Sequence, residues 1–155
     1  MEAPVHTPGS RSRGSTWRAR CRDNAIRIKW DASTESMQEK MVEHVLGVVQ
    51  GKREKFACIT FLTDVSPACD CYPSNDTPIV EDVGFLVSRD PVAIDQACVD
   101  LVNQKEGNQN SRLSENFKPG EDKFRGVYPQ IDWSVQLEYG QKIGLGSRDY
   151  ELIQV

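Results

Sequence analysis

Residues 83–104 read Val-Gly-Phe-Leu-Val-Ser-Arg-Asp-Pro-Val-Ala-Ile-Asp-Gln-Ala-Cys-Val-Asp-Leu-Val-Asn-Gln, and two structural periods meet in them at Asp90-Pro91. Asp is a favoured helix N-cap because its carboxylate accepts from the first unpaired backbone N–H groups. Pro suits the first helical position, where no N–H is needed and φ is already fixed. From there Ile94, Ala97, Cys98, Leu101 and Val102 recur at i, i+3, i+4, i+7 and i+8. One face of a helix ending near Gln104 is therefore apolar, and Cys98 belongs to its packing surface. The residues ahead of Asp90 predict a strand over about 79–88, with 83–87 as its buried part. A strand feeding directly into a capped amphipathic helix is a building unit of α/β folds.

Working upstream, residues 56–63 (Phe-Ala-Cys-Ile-Thr-Phe-Leu-Thr) form a nearly continuous apolar run of strand length. Such a run predicts a central strand covered on both faces, with Cys58 as a small buried hydrophobe. A helix is predicted over 36–50, where Ser36 and Glu39 have the spacing of a capping box. Met37, Met41, Val45, Val48 and Val49 supply its apolar stripe, and Gly51 the left-handed stop. His44 falls beside that stripe, the place of a surface or boundary histidine. Residues 25–30 (Ala-Ile-Arg-Ile-Lys-Trp) alternate in the manner of a half-buried strand. Downstream, 105–125 reads as a long polar loop, a last helix starts at Asp132 and stops near Gly144, and 150–155 reads as an edge strand. The expected order is strand, helix, strand, strand, helix, helix, strand, an α/β fold whose sheet is flanked by helices.

The chain has 155 residues, 38% hydrophobic and 27% charged, which suits one domain with a real core. Its net charge of −4 excludes a fold built as a whole to collect phosphate backbones. Seven basic residues between Arg11 and Lys29 face one acid, Asp23, so the N-terminal part is a basic arm. Residues 1–20 lack apolar period and read as a disordered arm, with 21–155 as a single domain. With Trp17 as its one early aromatic, the arm reads as solvated and not as a nucleic-acid interface. No apolar run approaches the length of a membrane span, and no h-region marks a secretory signal. An odd set of cysteines (Cys21, Cys58, Cys69, Cys71 and Cys98) without such a signal points to reduced thiols in the cytoplasm.

Chemistry concentrates in Cys69-Asp70-Cys71-Tyr-Pro-Ser-Asn-Asp76, just past the apolar strand, where open α/β sheets place ligands. Cysteines at i and i+2 in extended backbone project to one side, close enough to share a metal. Asp76 would add a hard oxygen ligand. Two thiolates leave a tetrahedral site incomplete, so the remaining ligands would come from elsewhere in the fold or from a partner. Gly144-Leu145-Gly146-Ser147 resembles a phosphate loop in composition, but it ends a helix and lacks the loop's Lys, which makes it a C-cap and linker. Asp90 is accounted for by capping and Asp95 by the helix dipole. There is no nucleophile elbow, and His6 lies in the basic arm.

Several of these segments carry a family resemblance. Ser-Pro-Ala-Cys-Asp-Cys (66–71), Asn-Asp-Thr-Pro-Ile-Val (75–80), Ser-Arg-Asp-Pro-Val-Ala-Ile-Asp-Gln-Ala (88–97) and Asp-Leu-Val-Asn (100–103) resemble the C-terminal half of the family called domain of unknown function 362. The closing Trp133, Leu-Glu-Tyr (137–139) and Gly-Leu-Gly-Ser-Arg-Asp-Tyr-Glu-Leu (144–152) are similar to that family's end, so the resemblance covers about residues 25–155. It implies an iron–sulfur-associated protein with a redox or metal-binding role for the Cys69-Asp70-Cys71 loop, the alternative being a non-catalytic structural or interaction domain that docks on a missing N-terminal half. Cys21-Arg-Asp-Asn-Ala-Ile (21–26) resembles the tail of the ferredoxin-type 4Fe–4S insertion carried by members, which makes Cys21 a vestigial cluster ligand. Arg22 stands in place of the usual Pro and the upstream cysteines are absent. A ferredoxin-type cluster needs four ligands, so none is expected in this chain. The resemblance also implies a truncated member, whose partners would be the missing N-terminal half or a redox protein.

Overall fold

The computed structural model describes residues 33–69 and 75–154. The arm at 1–20, Cys21, the strand expected at 25–30, and Asp70 with Cys71 lie outside them. Among the described residues, four α-helices, two strands and a 3-10 turn (Arg53–Lys55) make up the regular structure: α1 (Thr34–Val49), β1 (Cys58–Leu62), β2 (Gly84–Ser88), α2 (Pro91–Gln104), α3 (Lys123–Val127) and α4 (Ser134–Lys142). This mixture bears out the α/β class.

The helix α2 follows its sequence closely. Asp90 is its N-cap, accepting from the Val92 and Ala93 amides, and Pro91 opens the first turn. Ile94, Ala97, Cys98 and Val102 are buried as the apolar period requires. The helix α1 begins two residues earlier than expected. Ser33, in extended backbone, accepts from the Ser36 amide, so Ser33 is the cap and Ser36 lies inside the first turn. Its end is as expected: Gly51 has φ 72° and Lys52 donates through Nζ to the Val48 carbonyl. The buried side of α1 is different. Gln38, Val42 and Val49 face inward, while Met37, Met41, Val45 and Val48 are exposed.

Strand β1 pairs with β2 alone among the described residues, antiparallel, with Ile59 opposite Val87 and Phe61 opposite Phe85. The expectation of a central strand covered on both faces is thus corrected. Cys58, Leu62 and Leu86 pack on the core, and the alternate residues face out. An antiparallel pair can leave one face bare, which a parallel sheet wrapped by helices does not. The strand expected over 79–88 is shortened to its second half. Ile79 and Val80 are buried, but Val80 forms only an isolated bridge to Gly107. The final segment is not a strand in its described part. A gap of about 360 Å³ lies between Phe85–Ser88 and Tyr150–Ile153, so no ladder closes there.

Two apolar clusters hold the domain. One joins the sheet and α2 through Leu62, Ile79, Val80, Ile94, Cys98, Val102 and Leu113. The other joins α1, α4 and the start of α2 through Val42, Val49, Val92, Leu137 and Leu145. Gly140 permits the second, since a Cβ there would sit 2.9 Å from Val92 Cγ2. Of the loop expected over 105–125, residues 105–122 lie outside any helix or strand, as their polarity suggests, but are pinned, whereas 123–125 are corrected to the start of α3. Lys123, fully buried, donates through Nζ to the carbonyls of Lys118, Glu121 and Asn103 at 2.6, 3.0 and 3.2 Å. Asp132 accepts from the Ser134 amide at 3.0 Å and from its hydroxyl at 2.7 Å, fastening the first turn of α4 as its position suggests.

Candidate functional site

The loop that follows β1 is built by hydrogen bonds between its two arms. The Ile79 amide donates to the Val65 carbonyl at 2.8 Å and the Asn75 side chain to Ser66 Oγ at 2.5 Å. Tyr128, just past the end of α3, donates through its hydroxyl to the Pro67 carbonyl at 2.6 Å. At the base of the loop, Asp64 has φ 50° and donates its amide to Asp82 Oδ1 at 2.8 Å. The loop is thus anchored at Pro67 and again at Asn75.

Cys69 and Asp76, two of the three residues expected to ligate a metal, are both exposed on this loop. Asp76 Oδ1 already accepts the Thr77 amide at 2.8 Å, in a local turn. Cys71, the third, lies outside the described residues. Among those residues, no group of three or more His, Cys, Asp or Glu side chains stands close enough to hold a metal ion. Cys98 is buried and Cys58 packs against the same core, away from Cys69 on its exposed loop.

A second concentration of polar chemistry lies between α1, β1 and α2. Cys58, Thr60, Asp95 and Gln136 open into a pocket of about 170 Å³ whose apolar wall includes Met41, Val42, Val45 and Leu137. Burial pushes the Cys58 thiol up, with Asp95 and Asp90 adding to the shift. Cys98 is pushed up by burial and then by Asp95, against an opposing hydrogen bond from Thr60. Asp95 is reachable from solvent through the pocket mouth, yet the packed protein around it pushes its carboxyl up. Both shifts disfavour the reactive thiolate, as burial does for core cysteines. Asp95 does more than face the helix dipole, since it loads the electrostatics of both.

Gly144-Leu145-Gly146-Ser147 lies beside the N-terminus of α2, where a phosphate loop would place its anion. The anion already there is Asp90, which accepts from the Ser147 amide through Oδ2 at 2.9 Å. Gly144, at φ 75°, ends α4 as a C-cap residue should. His44, exposed on α1, places Nδ1 2.7 Å from the Lys40 carbonyl and is a surface histidine.

Sequence reasoning missed the outer face of the sheet. Ile59, Phe61, Phe85 and Val87 are 61%, 72%, 69% and 62% exposed, with the two rings 6.3 Å apart. Together with Met37, Met41, Val45 and Val48 on α1 they put eight large apolar side chains in water. The signal lies in the nearly continuous apolar run at 56–63, which makes both faces of β1 apolar.

A family model described as Domain of unknown function (DUF362) matches residues 5–100. The match begins ahead of the resemblance drawn from the sequence and ends inside α2, short of α3 and α4. No curated protein and no solved structure matches the chain. No helix among the described residues is long and apolar enough to cross a membrane.

Proposed function

Since the chain belongs to the family of Domain of unknown function (DUF362), we propose that it works as a structural docking segment, seating another part of the family's domain along β1. The observation that carries this reading is the coincidence of three features on one side. The edge of β1 away from β2 has no strand beside it among the described residues. The pocket next to that edge is lined by Met41, Val45, Cys58 and Thr60. The exposed stripe of α1 supplies Met41 and Val45 from above it. An extended segment added there gains main-chain hydrogen bonds from β1 and side-chain burial from α1, the two components of strand addition. On this reading the chain is the C-terminal half of the family's domain, working in the cytoplasm, and the occupant is the N-terminal half.

Calorimetric titration of the full chain with the N-terminal half of a longer family member tests this. Binding is expected, and Met41→Glu with Val45→Glu should weaken it by at least about tenfold, the effect of losing buried anchors. No heat of binding with the unaltered chain would overturn the reading.

A second reading, metal binding by Cys69, Cys71 and Asp76, draws support from the exposure of Cys69 and Asp76 on the anchored loop after β1. The iron–sulfur association and redox role belong to it. A single ion with further ligands from a partner suits these residues better than a cluster, which requires four. Metal analysis of the purified chain after anaerobic loading is the test. Stoichiometric iron or zinc that disappears in Cys69→Ser supports it, and a metal-free chain removes it.

A further inference from the structure

We propose that the outer face of the sheet is the contact of a symmetric dimer, in which a second copy of this chain stacks on Ile59, Phe61, Phe85 and Val87. The face is distinct from the β1 edge, so the proposal stands independently of strand addition. Its four side chains are exposed and none carries a charge or a hydrogen-bonding group. Interface centres are depleted of charge, and a complement to this face must be equally apolar. The face itself meets that requirement. At these exposures the two rings and two aliphatic side chains offer on the order of 500 Å² per copy. Two copies then bury up to about 1,000 Å², the size of a weak, reversible contact.

The register supplies the fit. Ile59 lies opposite Val87 and Phe61 opposite Phe85, so the face consists of one aliphatic row and one aromatic row. A two-fold axis between the sheets, parallel to these rows and midway between them, sets each aromatic row over the other copy's aliphatic row. Large side chains then meet smaller ones, as a close-packed interior requires, at the ~10 Å separation of stacked sheets. Beyond the Cys58–Ser88 end of the ladder, the exposed Arg89–Glu54 ion pair at 3.5 Å provides a polar rim. A closed two-fold contact of this kind consumes the apolar face without leaving a sticky end for further growth.

Sedimentation equilibrium of the full chain, from low micromolar to near-millimolar concentration, tests the proposal. A reversible monomer–dimer equilibrium is expected. Phe61→Glu and Phe85→Glu should each weaken it by about tenfold or more, with unchanged circular dichroism because both side chains are exposed. Met41→Glu, on α1, should leave the dimer intact. A chain that stays monomeric throughout overturns the proposal. A dimer that survives both glutamates, or one dissolved by Met41→Glu instead, overturns it as well.

Discussion

Asp90 and Ser147, 57 positions apart, are joined through the second oxygen of a helix cap: Oδ2 accepts the Ser147 amide at 2.9 Å while Oδ1 accepts from Val92 and Ala93. One carboxylate therefore both starts α2 and fastens the segment that follows α4. Asp90→Ala is expected to cost about 2–3 kcal/mol in urea unfolding, a lost cap plus a lost long-range hydrogen bond. Asp90→Asn, which retains one acceptor oxygen, should cost about 1 kcal/mol. Gly146→Ala should also destabilise, since its Cβ would press into the Asp90 carboxylate. An Asp90→Ala variant as stable as the parent would show that the tie carries no energy.

The buried ammonium of Lys123 plays the corresponding part for the polar loop. Its three carbonyl partners come from the end of α2 and from the loop itself, and its own amide donates to Asn103 Oδ1 at 2.8 Å. Lys123→Met keeps the aliphatic stem but leaves those carbonyls without their charged donor, at a cost of about 3 kcal/mol. The loss should be local as well as global. Hydrogen exchange at the Gly120 amide, which donates to the Asn103 carbonyl at 2.7 Å, should quicken in the variant beyond what the global loss accounts for.

What the sequence makes legible here is what is decided locally. Asp90-Pro91, the α2 period and Gly144 act within a turn or two of themselves, and each stands where its residue type places it. The α1 stripe misleads because Met37, Met41, Val45 and Val48 carry the helical period as convincingly as a core would, yet Val42 and Gln38 are the residues turned inward. Hydrophobic period identifies a helix, but it does not say which apolar face meets the core when two compete. The role of Lys123 is illegible for the opposite reason. Lys123 is one of three lysines in a polar loop, with Lys105 and Lys118, and nothing in the sequence singles it out as the one on which three carbonyls converge. The loop after β1 is legible only as residue types, because two exposed side chains, Cys69 and Asp76, say nothing by themselves of the neighbours a ligand would need.

Tyr150 gives a pH dependence of defined sign. Its hydroxyl donates to Asp100 Oδ2 at 2.8 Å, and burial followed by that hydrogen bond pushes its pKa up to about 12. An unfolded tyrosine titrates near 10, so the folded chain keeps the proton over the interval in which the unfolded chain loses it. The stabilisation is complete below about pH 10 and is lost as pH rises toward about 12. Absorbance titration of tyrosinate should show a late component that Tyr150→Phe removes, and the parent should lose stability over that window more steeply than the variant. Identical profiles would detach Tyr150 from Asp100.

The thiols should separate into two classes. Cys69 is exposed, whereas Cys98 is buried and both Cys58 and Cys98 have their thiolates disfavoured by burial and by Asp95. Thiolate is the species that reacts, so a disulfide reagent at mildly alkaline pH should modify Cys69 first and Cys98 last. Asp95→Asn tests the electrostatic part, because removing that charge should quicken Cys58 while leaving Cys69 unchanged. The metal reading adds a further expectation. A bound cation holds its thiolates and blocks their attack on the reagent, so Zn²⁺ or Fe²⁺ should protect Cys69 and Cys71 together. Cys71→Ser should abolish protection of Cys69, since one thiol and the Asp76 carboxylate make a weak pair. Protection of Cys69 that persists in Cys71→Ser, or equal labelling with and without metal, would make the two cysteines independent loop residues.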